Sequence, residues 1–159
     1  MTFQVRNPIA GNQAIATTST TQNHPLGTIV CANDPTLGEG EFIYLLGLAA
    51  TVTGSWVTYN ADDFSTTLLA ANAIGPVAVA MSANVASQYG WYQISGKANG
   101  LSADVADNAI LYIDTAVGTV DDAVVAGDRI WNAKAASADD TATGTVDAEI
   151  SRPFVTDAT

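Results

Sequence analysis

Cysteine occurs once in this chain of 159 residues, at Cys31, and histidine once, at His24. A single cysteine rules out an intramolecular disulfide and with it the disulfide-stapled secreted scaffold. One cysteine with one histidine cannot complete a structural zinc site either. Basic residues are nearly as scarce. Five Lys and Arg stand against sixteen Asp and Glu, for a net charge of −11. Such a field repels phosphate backbones, and no basic stripe overrides it, so no nucleic-acid partner is expected. Only 13% of residues are charged, about half the usual share. Much of the surface must therefore be Ala, Thr, Ser, Gly and Asn. No apolar run approaches the roughly 20 residues that span a bilayer as a helix, so no membrane partner is expected. The opening "MTFQVRNPIAGNQ" lacks a charged segment followed by an apolar core and does not read as a secretory signal.

What is present is a rhythm of short β-rich runs. "EFIYLLGLA", "GSWVTYN", "GPVAVAMS", "GWYQISGKA", "AILYID", "DRIWNAKA" and "TVDAEIS" are separated by Gly, Asp, Asn and Ser. Short strands at such spacing are the signature of a sandwich or barrel. Alternation puts Val146, Ala148 and Ile150 on one face of the last run, against Asp147, Glu149 and Ser151. Val77, Val79 and Met81 oppose Ala78 and Ala80, which predicts a strand covered on both faces. "ILYIDTAVGTVDDAVV" reads as strand, glycine turn and strand. "DDFSTTLLAANAI" is short for a helix, and its threonine pair favours a hairpin. Residues 1–36 differ: rich in Thr, Asn and Gln and punctuated by Pro8, Pro25 and Pro35, they read as an extended N-terminal arm. Short strands are expected in it near "TFQV" and "TIVCA". The expected organisation is this arm, an all-β body over 37–155 forming an antiparallel β-sandwich or small, jelly-roll-like barrel, and a tail at 156–159.

Chemistry is sparse. Nucleophilic catalysis needs a positioned base, and His24 lies in the irregular "QNHPLG", so a plain loop histidine is expected. Cys31, flanked by apolar residues, reads as a small buried hydrophobe. The pairs Asp62–Asp63, Asp121–Asp122 and Asp139–Asp140 lack the alternating oxygens and turn glycine of a calcium loop and read as solvated turn residues. Phosphate-binding glycine loops are absent. No enzyme, cofactor or metal is expected. Trp56, Tyr59, Tyr89, Trp91, Tyr92 and Trp131 supply material for a carbohydrate platform, although at least half of them should be core. In "QYGWYQISGKANG", Trp91 shares a strand face with Gln93, Ser95 and Lys97, where a large apolar ring needs a cover. Asn99–Gly100 then fits a tight turn.

From about Gly38 to Val155, "GEFIYLLG", "WVTYN", "GPVAVAMSANVASQYGWYQISGKA", "ILYIDTAVGTVDDA" and "GDRIWNAK" follow one another in an order that resembles the small capsid cement, or head-decoration, proteins of tailed bacteriophages. The resemblance implies a structural protein of the virion, seated on the outer capsid surface and holding the joints between shell subunits. Its partners would be the major capsid protein and further copies of itself, as a trimer in preference to a dimer. On this reading Phe3, Val5, Arg6 and Ile9 form a clasp on the shell, and Trp91 is covered at a subunit interface. The rival expectation is a carbohydrate-recognising β-sandwich module of a viral or cell-surface protein.

Overall fold

Gly, Asn and Asp punctuate the apolar runs, and each punctuation mark becomes a turn between strands. The computed structural model describes residues 4–5, 13–139 and 141–157, and no helix occurs among them. In chain order the strands are β1 (Gln4–Val5), β2 (Ile29–Asp34), β3 (Gly38–Leu46), β4 (Trp56–Tyr59), β5 (Thr66–Leu68) and β6 (Ile74–Ala80). They continue as β7 (Tyr89–Ser102), β8 (Ile110–Ile113), β9 (Val120–Asp121), β10 (Arg129–Ala135) and β11 (Gly144–Thr156). The fold is all-β. All eleven strands are hydrogen-bonded into one sheet, in the order β1-β2-β3-β7-β9-β8-β10-β11-β6-β4-β5. Because β7 also pairs with β11, strands β7, β9, β8, β10 and β11 close a ring, and β6 bridges β7 and β11. Every pairing among the named strands is antiparallel except β7 with β9, at Ser102 and Val120.

Closure creates an interior, and the strand alternation fills it. Val146, Ala148 and Ile150 of β11 point inward as their period predicts, joined by Ala98, Leu111, Ile113, Val120, Ile130 and Trp56. Strand β6 is covered on both faces: Val77 and Val79 enter this core, while Ala78 and Ala80 enter a second one with Ile43, Leu45, Tyr92 and Ile94. A third core holds Phe42, Tyr44, Trp91 and Met81 under Ile15, Val30 and Ala32. Fully burying a side chain of this size contributes about 1.5–3 kcal/mol, so the third core ties residues from Ile15 onward to the body.

The N-terminal region therefore differs from a free arm. Both strands expected within it are present, β1 and β2. β2 pairs along its whole length with β3, and the expected boundary at 36/37 falls in the turn of that hairpin. There the Asp34 carboxylate accepts the N–H groups of Thr36 and Leu37 at 2.8 and 2.9 Å. Likewise β11 runs through Val155 to Thr156, into the expected tail. "DDFSTTLLAANAI" contributes β5, paired with β4.

The expected turn at Asn99–Gly100 is corrected. β7 runs through both residues to Ser102, with Gly100 opposite Val146 on β11. Glycine stands there because of crowding: a Cβ would lie 2.4 Å from Nε1 of Trp56, whose indole donates to the Leu101 carbonyl at 3.1 Å.

Candidate interaction surfaces

Two places stand out: the root of the N-terminal region, and an outward-facing patch of the barrel wall. The first is built on Gln13, a buried glutamine at the edge of the third core. Its side-chain oxygen accepts the Tyr44 hydroxyl at 2.8 Å and the Asn23 amide at 2.9 Å. Its Nε2 donates to the carbonyls of Thr17 (2.7 Å) and Tyr89 (3.0 Å). On the backbone, Gln13 N–H donates to Nε2 of His24 at 3.2 Å, and Gln13 C=O accepts the Trp91 indole N–H at 2.9 Å. Six bonds thus fix one residue, and burial makes each costly to lose. Burial also pushes the Tyr44 hydroxyl above its ordinary pKa, although the Asn23 backbone N–H donating to it pulls the other way.

This geometry corrects two expectations. His24 is buried, with its ring 5.1 Å edge-on from Tyr44 and 5.4 Å from Trp91, and it serves as a packing and acceptor residue. Trp91 is fully buried, against Tyr44 at 4.9 Å and beneath residues of its own N-terminal region. The cover its polar strand face demanded comes from its own chain, which removes it as a subunit-contact residue. Val5 lies in β1, whose backbone pairs with Ala32 of β2. Phe3, Arg6 and Ile9 lie outside the described residues.

The acidic pairs separate by environment. Asp62 and Asp63 are exposed turn residues, and Asp63 accepts both N–H and hydroxyl of Ser65. Asp139 is instead buried, bonded to the Ser102 hydroxyl at 2.6 Å and to Thr141 N–H and hydroxyl at 3.1 and 2.5 Å. Those bonds, the one from Ser102 first, hold its carboxyl below the usual range. Asp140 lies outside the described residues. Asp121 is half-buried and shifted upward, mainly by burial and then by its neighbours Asp114 and Asp122. Cys31 is half-buried rather than enclosed. Among the described residues, no three His, Cys, Asp or Glu side chains gather as metal ligands.

The second place is the outer wall of β10 and β11. Trp131 and Phe154 are cross-strand partners, 39% and 37% exposed, with parallel rings 6.3 Å apart. The Arg129 guanidinium lies 4.2 Å from the centre of the Trp131 ring, a cation–π contact. A shallow, open depression of about 600 Å³ adjoins them, lined in part by Arg129, Asn132, Lys134, Glu149 and Ser151. A bulge of β11, three residues opposite Asn132 alone on β10, builds this face. Pairing jumps from Trp131–Phe154 to Ala133–Ile150, and Asn132 and Arg152 take left-handed backbone at φ 59° and 49°. The extra residues of β11 and the left-handed Asn132 on β10 leave both rings outward while Ile130, Ile150 and Val155 remain inside.

Of the six aromatics proposed for a platform, Trp56, Trp91 and Tyr92 are fully buried, Tyr59 and Tyr89 are half-buried, and Trp131 is exposed. The exposed tryptophan is thus Trp131, with Phe154 as a partner that sequence reasoning missed. Its signal was available in Asn132, which tolerates left-handed backbone, and in Pro153, which has no N–H to give a ladder. No protein-family model, no curated protein and no solved structure matches this chain.

Proposed function

We propose that the chain is a structural cement protein of a phage virion, bound to the outer capsid surface through the major capsid protein and assembled with copies of itself, trimer before dimer. It works without catalysis, cofactor or nucleic acid. The observation that carries this reading is the Gln13 anchor. A clasp that holds a shell joint transmits load to its root, and six hydrogen bonds on one buried residue make a root that resists being pulled away. The segment before it, with Phe3, Val5, Arg6 and Ile9, engages the lattice. Net charge −11 suits an exterior position, and the resemblance over Gly38–Val155 points the same way. Deleting residues 1–12 leaves Gln13 in place and tests the clasp. The truncated chain is expected to stay folded but no longer co-sediment with undecorated phage shells or raise their melting temperature. Undiminished decoration by the truncated chain overturns the reading.

Exposure of Trp131 beside an open depression, lined by apolar groups together with Asn132, Lys134, Glu149 and Ser151, favours a second reading, carbohydrate recognition. Sugars stack on a free aromatic face, whereas Arg129 already lies over the Trp131 ring. Saturable binding of an oligosaccharide that quenches tryptophan fluorescence and is lost in Trp131→Ala selects this second reading.

A further inference from the structure

In a chain this acidic, the placement of the few cations is informative. Lys97, Arg129, Lys134 and Arg152 all lie on β7, β10 and β11. Lys97 pairs with Asp147 at 3.0 Å, Lys134 with Glu149 at 3.2 Å and Arg152 with Glu41 at 3.2 Å. Arg129 has no ion pair with a described carboxylate; its guanidinium lies over Trp131, and its buried Nε has no hydrogen-bond partner. The wall therefore presents an aromatic pair beside an unpaired cation.

A complementary feature stands two strands away on the same sheet. The turn from β9 to β10 reads Asp121-Asp122-Ala123-Val124-Val125: two acids, then two exposed valines, Val124 at 80% and Val125 at 43%. One Oδ of Asp121 is enclosed within its own copy without a hydrogen-bond partner, and Asp122 accepts the Ala106 N–H at 2.9 Å through one oxygen. A single exposed valine is ordinary, but a valine pair joined to an acid pair matches the wall in both apolar and charge character. Within one copy the two do not meet. Arg129 pairs with Tyr112, and Tyr112 with Asp121, so the two charged residues are two strand spacings, about 10 Å, apart across the sheet.

We propose that the Asp121–Val125 turn of one copy docks on the Arg129–Trp131–Phe154 wall of a second copy. Asp122 meets the Arg129 guanidinium, and the valines cover the two rings, an arginine-and-aromatic composition typical of contact hot spots. Turn and wall are different residues, so the contact is heterologous, and a rotation between successive copies that closes makes it a ring rather than a filament. A trimer is the ring expected here. The inference deepens the self-association half of the proposed function and rests on that half alone, since it needs no shell.

Sedimentation analysis of the full chain tests it. The wild type is expected to form an oligomer. Val124→Ser/Val125→Ser and, separately, Trp131→Ser should each sediment as the 16.3 kDa monomer with an unchanged circular-dichroism spectrum. Val52→Ser, an exposed valine of the β3–β4 loop, should leave the oligomer intact. If Trp131→Ser fails to fold, Phe154→Ser replaces it. Mixing the two deficient variants is decisive. One retains the wall and the other the turn, so a head-to-tail contact restores a one-to-one pair. A monomeric wild type, an oligomer indifferent to either variant, or a mixture that stays monomeric overturns the inference. None of these results bears on shell binding by residues 1–12, which the truncation tests separately.

Discussion

Replacing Gln13 by alanine removes four side-chain hydrogen bonds at once while leaving both backbone bonds in place. The Tyr44 hydroxyl and the Asn23 amide lose their acceptor, and the Thr17 and Tyr89 carbonyls lose their donor. Net values near 0.5–1.5 kcal/mol per bond, with Tyr44 left buried and unpaired, put the total at about 3 kcal/mol. In urea that moves the unfolding midpoint down by roughly 1–2 M at an unchanged slope. Intrinsic fluorescence follows the transition, and exchange of the Trp91 indole proton, bonded to the Gln13 carbonyl, reports whether the N-terminal segment opens first. Gln13→Glu is the sharper control. A carboxylate keeps the acceptor that Tyr44 needs, yet turns its second oxygen toward the Thr17 and Tyr89 carbonyls. It should therefore destabilise at pH 7 at least as much as alanine. A loss below about 1 kcal/mol in both variants would show that the six-bond anchor does not hold the N-terminal region as argued.

Trp91→Ala should destabilise the isolated chain by about 3–5 kcal/mol, because the indole fills the third core and donates to Gln13; an unchanged melting temperature with a lost oligomer would reinstate it as a contact residue. Gly100→Ala places a methyl against the Trp56 indole and should cost about 1–3 kcal/mol through overpacking, read as a lower melting temperature. Acid titration has opposing contributions from two aspartates. The lowered folded pKa of Asp139 gives stability present above the unfolded value of about 3.9 and lost as pH falls through the folded one, so Asp139→Asn should flatten the acid limb of urea stability against pH. The raised pKa of Asp121 does the reverse, favouring the folded state as pH falls; Asp121→Asn should stabilise at pH 7 and gain little near pH 3.

Alternation carried the sequence reading wherever a strand is regular. Val146, Ala148 and Ile150 on β11, and the two-sided cover of β6, followed from period alone because one neighbour per face settles such positions. Strict alternation misplaces the site. It would put Trp131 with Ala133 and Ala135, and Phe154 with Ile150, all facing the core. The β11 bulge and the left-handed Asn132 and Arg152 break that period, and a bulge depends on both strands at once. Ring closure was illegible for a similar reason: nothing local to Lys97 announces Glu149 as its cross-strand neighbour. Trp91 shows the remaining limit. Its local pattern demanded a cover and left the source open, between a second molecule and the glutamine 78 residues earlier in its own chain.

The place of β7 in the sheet has a kinetic consequence. This strand pairs with β3 and β6 from earlier in the chain and with β9 and β11 from later in it. Its N-terminal half can dock on β3 as soon as it is synthesised, while its C-terminal half waits for β11 across the whole β8–β10 segment. Loop closure of that length precedes the reward of pairing, which slows the final step. A nascent chain halted before Gly144 would hold Ala98 and Gly100 of β7 at an open seam, an edge available to the same strand of a neighbouring chain. Folding of this protein is thus expected to wait on arrival of the one strand that seals the ring, and crowded synthesis would penalise any delay there.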